Sequence, residues 1–491
     1  MKALIVDLNN FSRYPTLSVG YLSAILKQNN HSVETLSPLF FGLHGFPRRV
    51  RESAGLHYLK FMNHIGATTT NPVLKQIHRK MKKIFAPDLM RNQKTIIDSF
   101  TSMLESKPDI VLISAYTMYF DVCTAIAAIC LEKNIPLLVG GNSFVIAEIA
   151  GLWSEQPGIS AVFAGEPENN LCHIMEDLVQ GKSVDHYPGI YSVQKGSEFI
   201  APPLHNLDQI PFPDFAAFPW SSYPNRIVPV MTGRGCEWGR CTFCSDVTTS
   251  AGRTYRSRSL DNVMNEIITQ RQHYNADLFV FLDLKLNSNL ELWRGLAARI
   301  PNEAPGVKWT ASVHVDSRAE NGLSYEELKK ASDAGLVRIT CGLESGSQKV
   351  LNRMTKGVRL QNQSKFIQAA YKANLSVRLT SIIGDPNEGV EDIRLTTKFL
   401  REHRQYIERI VINRFSFMPA TPATQTSQAE QQPENHIQLH DLDTVTSIVP
   451  HTDRRYSQFS HRKAVFGLLA EANKINRKPL IARAREFEGA F

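Results

Sequence analysis

The chain has 491 residues, 43% of them hydrophobic and 21% charged, and its net charge is +8. That is an ordinary globular composition, enough for about three domains at ~100–200 residues each, and it excludes long disorder, collagen and coiled-coil arrays. No run of ~18 apolar residues occurs, so no membrane-spanning helix is expected. The opening stretch, Met1 to Asp7, meets an acid at once and reads as a first strand rather than a signal peptide, which predicts a cytoplasmic protein.

Residues 1–200 alternate short apolar runs with helical patterns. Strands are predicted at Ala3–Leu8, Ser32–Leu36, Asp109–Ala115, Pro136–Gly140, Ala161–Ala164 and Gly189–Val193, and helices near 18–29, 92–106, 119–133, 144–154 and 167–180. Such alternation implies a parallel sheet covered on both faces. Residues 41–100 interrupt it with eleven Lys/Arg against three Asp/Glu, and a helix is expected near 73–85. A solvated helical insertion is the plainer reading; an acidic peptide or a cofactor phosphate is the functional one. Without aromatic interleaving, nucleic acid is not an expected partner.

Six prolines between 201 and 225 predict a stiff, extended linker. Alternation then resumes over 226–418. Strands are predicted at 227–232, 277–284, 308–316, 337–343, 376–383 and 409–416, with helices at 258–272, 290–299, 325–334, 347–372 and 389–404. Six such units close only part of a barrel, and ligands in barrels of this kind gather at the C-terminal strand ends. Residues 419–491 form a C-terminal extension: 419–449 read as loop or extended cover, and 450–491 as a small helical region with helices at 461–474 and 478–487.

Seven cysteines are too few and too odd in number for a disulfide framework in a chain this long. Three of them, Cys236, Cys241 and Cys244, are spaced C-x4-C-x2-C directly after the strand ending at Thr232. A structural zinc site normally takes four protein ligands. Three thiolates suit a cubane iron–sulfur cluster with one iron left open. Zinc and a plain electron-transfer cluster remain the alternatives. Cys341, Cys123, Cys130 and Cys172 read as small buried residues.

This segment resembles the radical S-adenosylmethionine (SAM) superfamily, whose commonest spacing is C-x3-C-x2-C; here the first gap is four. The resemblance covers about 200–420. It implies that Cys236, Cys241 and Cys244 hold a 4Fe–4S cluster, that Phe243 packs on it, and that SAM binds the open iron. Asp283 would stand at the mouth of the second barrel strand. Glu344, in Cys341–Ser347, would lie near SAM, and Gly384 in the fifth-strand turn near the adenine. Ser312 and Arg378 would sit on mouth-proximal strand ends and hold the amino-acid end of SAM. The alternative for Glu344 is a carboxylate satisfied by backbone N–H groups at a helix N-terminus.

Residues 1–200 resemble the Rossmann-like cobalamin-binding domain that precedes many radical SAM enzymes. Gly140 and Gly141 follow the fourth strand, and Gly165 and Glu166 the fifth. Glycines at such strand ends let a large flat ligand approach the backbone. In D-x-H-x-x-G cobalamin motifs the His ligates cobalt from below; here Asn9 stands in its place and Ser12 in that of the Gly. Bound cobalamin would therefore lack an imidazole from this motif. The alternative is a vestigial domain that binds no corrin.

The chain thus reads as α/β: a cobalamin-binding domain (1–200), a linker, a partial (β/α)6 TIM-type radical SAM barrel and a C-terminal helical region. The resemblance implies an oxygen-sensitive enzyme that methylates an unactivated carbon of a peptide or small molecule. Its expected cofactors are the 4Fe–4S cluster, SAM and cobalamin, with an external one-electron reductant such as flavodoxin or ferredoxin. The alternatives are cyclisation, ring contraction or rearrangement without methyl transfer, a non-catalytic cobalamin or cluster sensor, and a tRNA- or ribosome-modifying enzyme.

Overall fold

A computed structural model describes residues 1–9, 13–44, 51–69, 71–84, 91–192, 200–245, 255–429 and 436–490. The first sheet has six strands: β1 (Lys2–Asp7), β2 (Ser32–Leu36), β3 (Ile110–Ser114), β4 (Leu137–Gly140), β5 (Ala161–Phe163) and β6 (Ile190–Tyr191), in the order β2-β1-β3-β4-β5-β6. Ala3 to Val6 are fully buried, as expected when helices cover both faces of a parallel sheet. Those helices are α1 (Leu17–Gln28), α4 (Gln93–Met103), α5 (Phe120–Lys133), α6 (Ala147–Ser154) and α7 (Leu171–Val179). The parallel expectation fails at the edge, where β6 runs antiparallel to β5. Gly189 takes φ +84° just before it; among the described residues Ile190 and Tyr191 pair, and the predicted end of the strand at Val193 lies outside them.

Among its described residues the basic insertion holds the helices α2 (Leu56–Thr68) and α3 (Pro72–Ile84), of which only the second was predicted. α2 docks on the C-terminal part of the chain. The ring of Phe61 meets Phe466 edge-on at 5.2 Å, and Glu52 accepts from Asn473 and Asn476.

The second sheet comprises β7 (Ile227–Val230), β10 (Leu278–Phe281), β11 (Lys308–Val313), β12 (Leu336–Glu344), β13 (Ser376–Ile383) and β14 (Arg409–Arg414), all parallel and neighbouring in chain order. A two-residue hairpin, β8 (Gly233–Arg234) with β9 (Arg256–Ser257), flanks the first barrel strand. The outer helices are α8 (Leu260–Tyr274), α9 (Leu290–Glu303), α10 (Tyr325–Asp333), α11 (Gln348–Arg353), α12 (Leu360–Lys372) and α13 (Val390–Glu402). The predicted helix 347–372 is therefore two helices, broken between Met354 and Arg359, where Gly357 takes φ +69°.

The linker is not a free spacer. Phe215 is fully buried and occupies the space a Cβ on Gly20 of α1 would need, at 2.3 Å. One apolar cluster runs from Leu17 and Leu138 through Phe215 to Val228 and Phe279, so the two sheets share a core. The cover carries a short helix, α14 (Pro422–Ala429), and a hairpin, β15 (Ile437–Leu439) with β16 (His451–Asp453), followed by α15 (Phe459–Asn476). The last predicted helix is a 3-10 turn, Ala482–Phe487. Its approach is held to the barrel floor: Ile481 N donates to Glu408, Arg409 donates to Lys478 O, and Arg338 donates to Phe487 O. Phe487 then plugs the floor against Ile227, Val280 and Val337. Among the described residues no helix is long and apolar enough to cross a membrane.

Candidate active site

The loop between β8 and β9 carries the three clustered cysteines. Cys241 is buried, and Cys236 and Cys244 are half-buried. Three contacts press this loop onto the segment after α11: Thr242 N donates to Met354 O (3.0 Å), Trp238 Nε1 donates to Thr355 O (2.9 Å), and the Trp238 ring lies 2.3 Å from where Gly357 would carry a Cβ. From the other side Ala423 N of the cover donates to Thr242 O, while Phe243 joins Ile382, Phe415 and Phe417. Among the described residues no three His, Cys, Asp or Glu side chains converge on a single metal position.

Beside the cysteines stands a residue that sequence reasoning missed. Lys356 is buried, its Nζ lies 5.7 Å from the Phe243 ring centroid, and it donates to Glu344 Oε1 at 2.8 Å. Burial pulls its pKa down, but Glu344 and Cys241 outweigh that and hold the ammonium charged. Burial raises the Cys241 thiol, and Lys356 opposes that rise. A fixed cation beside thiolates fits the donor set of an anionic cluster. Glu344 ends β12 at φ +55°, a left-handed conformation rare for a non-glycine residue. It answers the charge of Lys356 instead of capping a helix. The only sequence hint of Lys356 is its place before Gly357, which lets the chain turn under Trp238.

The remaining barrel residues divide. Asp283 is buried and accepts from Thr232 N and Thr232 Oγ1, tying β10 to the end of β7; burial lifts its pKa to about 6. Its carboxylate is thus already engaged within the chain. Ser312 lies one residue from the end of β11 and pairs in register with Thr340. Arg378 corrects the expectation of a mouth position. It is the third residue of β13 and stands level with Arg409, the first of β14, so it belongs to the lower part of the barrel. Gly384 takes φ +89° with Tyr456 Oη 2.4 Å from its missing Cβ, and its N–H donates to Glu388.

Between the two sheets lies a cavity of about 450 Å³, within the ~300–1,000 Å³ usual for cofactor sites. Asn9, Gly140, Gly141, Gly165 and Glu166 line it from the first sheet, and Met231, Gly233, Arg234 and Leu284 from the barrel mouth. Gly141 is needed for close packing: a Cβ there would stand 2.3 Å from Ala115 O. Asn9 Oδ1 is buried with no partner, while Asn9 Nδ2 reaches Ser114 Oγ at 3.5 Å. A glycine-lined crevice with an unsatisfied amide oxygen fits a large ligand rich in amide donors. Glu166 also holds the two halves together. It pairs with Arg256 at 2.6 Å and Arg234 at 3.0 Å and accepts from Leu204 N, while Arg234 reaches Glu168 at 2.5 Å.

Residues 230–400 match the family model of the radical SAM superfamily. Residues 230–400 thus form a radical SAM domain, and the chain is an enzyme. It is 28% identical over 340 residues, 68% of this chain and 71% of the relative, to an uncharacterized methyltransferase of Pyrococcus horikoshii. It is 25% identical over 312 residues to the anaerobic magnesium-protoporphyrin IX monomethyl ester cyclase of Rubrivivax gelatinosus, covering 60% of this chain and 54% of that protein. The chain thus spans only about half the length of this second relative. Its fold is shared with OxsB, a cobalamin-dependent radical SAM enzyme solved with aqua-cobalamin, at TM-score 0.68 and 16% identity, covering 94% of this chain and 66% of that one. It is shared also with TsrM of Kitasatospora setae, a radical SAM methyltransferase solved with cobalamin and a [4Fe-4S] cluster, at TM-score 0.63 and 14% identity, covering 90% and 81%.

Proposed function

We propose that this enzyme transfers a methyl group to an unactivated carbon, using a 4Fe–4S cluster, SAM and cobalamin. The observation that carries the reading is the cavity between the sheets, which joins the glycine-lined strand ends of the first to the barrel mouth beside the cysteine loop. Cys236, Cys241 and Cys244 would hold the cluster, with Phe243 and Lys356 against it. Glu344 would accept from the SAM amino group once its pair with Lys356 is shared. Asn9, Gly140, Gly141 and Gly165 would border the corrinoid. Bound there, these groups supply a hydrogen-abstracting radical and a methyl donor; the chain supplies binding, orientation and exclusion of water.

The protein's own part is legible in the packing. Phe243, Phe415 and Phe417 form an apolar wall at the cysteine loop, and the cover hydrogen-bonds to that loop through Ala423. Electrons would come from an external one-electron donor such as flavodoxin or ferredoxin. The substrate is a small molecule or a peptide in a cytoplasmic setting.

The test is anaerobic reconstitution with iron, sulfide and hydroxocobalamin, then incubation with methyl-labelled SAM and reductant. Four iron and one cobalt per chain with SAM cleavage are expected. Iron with no cobalt sinks the methylation reading. It would favour a cobalamin-independent ring-forming or rearranging reaction, the reading to which the cyclase relative points. Zinc with no iron sinks both.

A further inference from the structure

The helix α3 is strongly amphipathic, yet it turns its apolar side away from the body of the protein. Val73, Leu74, Ile77 and Met81 share one face by helical spacing, and that face meets solvent: Val73 is 61% exposed and Ile77 49%. The packed side is polar. His78 Nε2 donates to Asn63 Oδ1 of α2 at 2.8 Å, a Cβ on Gly66 of α2 would stand 2.7 Å from the His78 ring, and Lys75 is half-buried. On α2 the row Tyr58, Leu59 and Met62 is likewise 59%, 52% and 56% exposed. Three residues separate the two helices, so they form an antiparallel hairpin. Helical periodicity puts both apolar rows on the same side of the seam between Gly66 and His78.

An exposed apolar face of this kind marks contact with a protein or a membrane. Charge decides which. From Leu56 to Ile84 the sequence carries six Lys/Arg and no Asp/Glu. Glu52, just before α2, answers Lys60. Arg79 and Lys80 are exposed, and no acid of the hairpin neutralises them. Whatever covers this face must be anionic as well as apolar. A second copy of the chain would set like charge against like. The two rows form a convex ridge, not a groove in which an acidic peptide could lie. A bilayer with anionic headgroups meets both demands, since its acyl chains accept the ridge and its headgroups the cations. The thirteen residues of α3 rise about 20 Å, short of the ~30 Å hydrocarbon core, so such a helix lies along the surface instead of crossing it.

The hairpin is rooted at the barrel mouth. The buried His64 of α2 meets Tyr456 ring to ring at 5.8 Å, and Tyr456 Oη donates at 3.4 Å to the carbonyl of Gly384, just past β13. Phe61 fixes α2 to α15 through Phe466. Packed rings thus join the exposed face to the catalytic barrel.

We propose that the α2–α3 hairpin docks this enzyme on an anionic lipid surface. Ile77, Met81, Val73 and Met62 enter the headgroup–acyl boundary, and Arg79 and Lys80 pair with lipid phosphates. The proposal goes beyond the methyl-transfer reading and does not rest on it.

The test is flotation of the reconstituted holoenzyme with vesicles of phosphatidylcholine alone or of phosphatidylcholine and phosphatidylglycerol in equal parts. Binding is expected to the mixed vesicles only. It should weaken as ionic strength rises from ~0.1 M to ~1 M, where the Debye length falls from ~10 Å to ~3 Å. Arg79→Gln with Lys80→Gln should lower the partition coefficient about fivefold per charge removed. Ile77→Asp with Met81→Asp should lower it by about tenfold or more, and Ile77→Leu with Met81→Leu should restore it. All of these side chains are exposed, so melting temperatures should hold. Hydrogen exchange of the wild type needs no variant, and the mixed vesicles should slow it within 56–84 and not in the barrel strands. No binding, equal binding to both vesicles, binding that persists in the Asp variant, or exchange unchanged within 56–84 would each overturn the proposal. Slowing that follows protein concentration without vesicles would instead give the face to a second copy, and slowing by flavodoxin without vesicles to an acidic protein. None of these readouts uses iron, cobalt or SAM cleavage, so their failure is separable from failure of the proposed function.

Discussion

In the first sheet the strand order reverses between β1 and β3, whereas the six barrel strands neighbour one another in chain order. The reversal sends the chain to opposite sides of the sheet and opens a crevice at the strand ends. Asn9, after β1, and Ser114, ending β3, face each other across it. The barrel has no reversal. Its site comes from curvature and from the long loop after the first strand, which must be held down by other segments. Crevice and loop therefore tolerate different damage: the first depends on small residues at strand ends, the second on buried charge and docking contacts.

The largest expected effect separates the two outright. Cys236→Ala, Cys241→Ala or Cys244→Ala should abolish iron incorporation and SAM cleavage while cobalt binding survives. Iron and cobalt analysis of one preparation checks this, and joint loss would mean that the two sites fold as one.

Next comes the Lys356–Glu344 pair. Lys356→Met leaves Glu344 as an uncompensated buried charge, a loss of about 3–5 kcal/mol for breaking such a pair. Lys356→Arg should restore most of it. Anaerobic thermal unfolding reads the stability, and an EPR redox titration should show a lower cluster potential in the Met variant, since a nearby cation is gone.

Gly141→Ala sharpens the comparison from the other side. Its Cβ would press on Ala115 O, and overpacking of this kind costs about 1–3 kcal/mol. Cobalt content should fall while iron content holds, the mirror image of the cysteine variants.

The last prediction is a pH dependence confined to the barrel. Burial raises Glu388 from 4.5 to about 8, against the bond from Gly384 N. A carboxyl raised on folding contributes stability that is full below its unfolded pKa and is lost as pH rises through its folded one. Stability should therefore decline between pH 4.5 and about 8, and Glu388→Gln should flatten that decline. Melting curves across this range check it; a wild-type slope that persists in the variant assigns the decline to other groups.

Much was legible locally. Periodicity located all twelve strands of the two main sheets to within a few residues, because a buried parallel strand is a continuous apolar run whatever it pairs with. The cysteine spacing was legible for the same reason, since ligands in one short loop need no tertiary information to be recognised as a set. The misses share the opposite cause. Arg378 was assigned to the mouth from its strand alone, but height in a barrel is set by register against Arg409 on the neighbouring strand. Glu166 lines the cavity as expected, but its ion pairs to Arg234 and Arg256 in the barrel half of the chain had no local signal.

What the amino-acid sequence determined by itself is the alternation of strands and helices, the three-thiolate loop and the radical SAM domain that carries it. Each depends on residues a few positions apart, whose spacing dictates backbone period or ligand set. Which charges meet was decided only by the tertiary structure. Lys356 finds Glu344 beside the cysteines, Asp283 is taken by Thr232, and Glu166 meets Arg234 and Arg256 from the other half of the chain. A charge buried or crowded in a fold must be answered by whatever the crossing chain brings beside it, and that pairing is written in no local pattern.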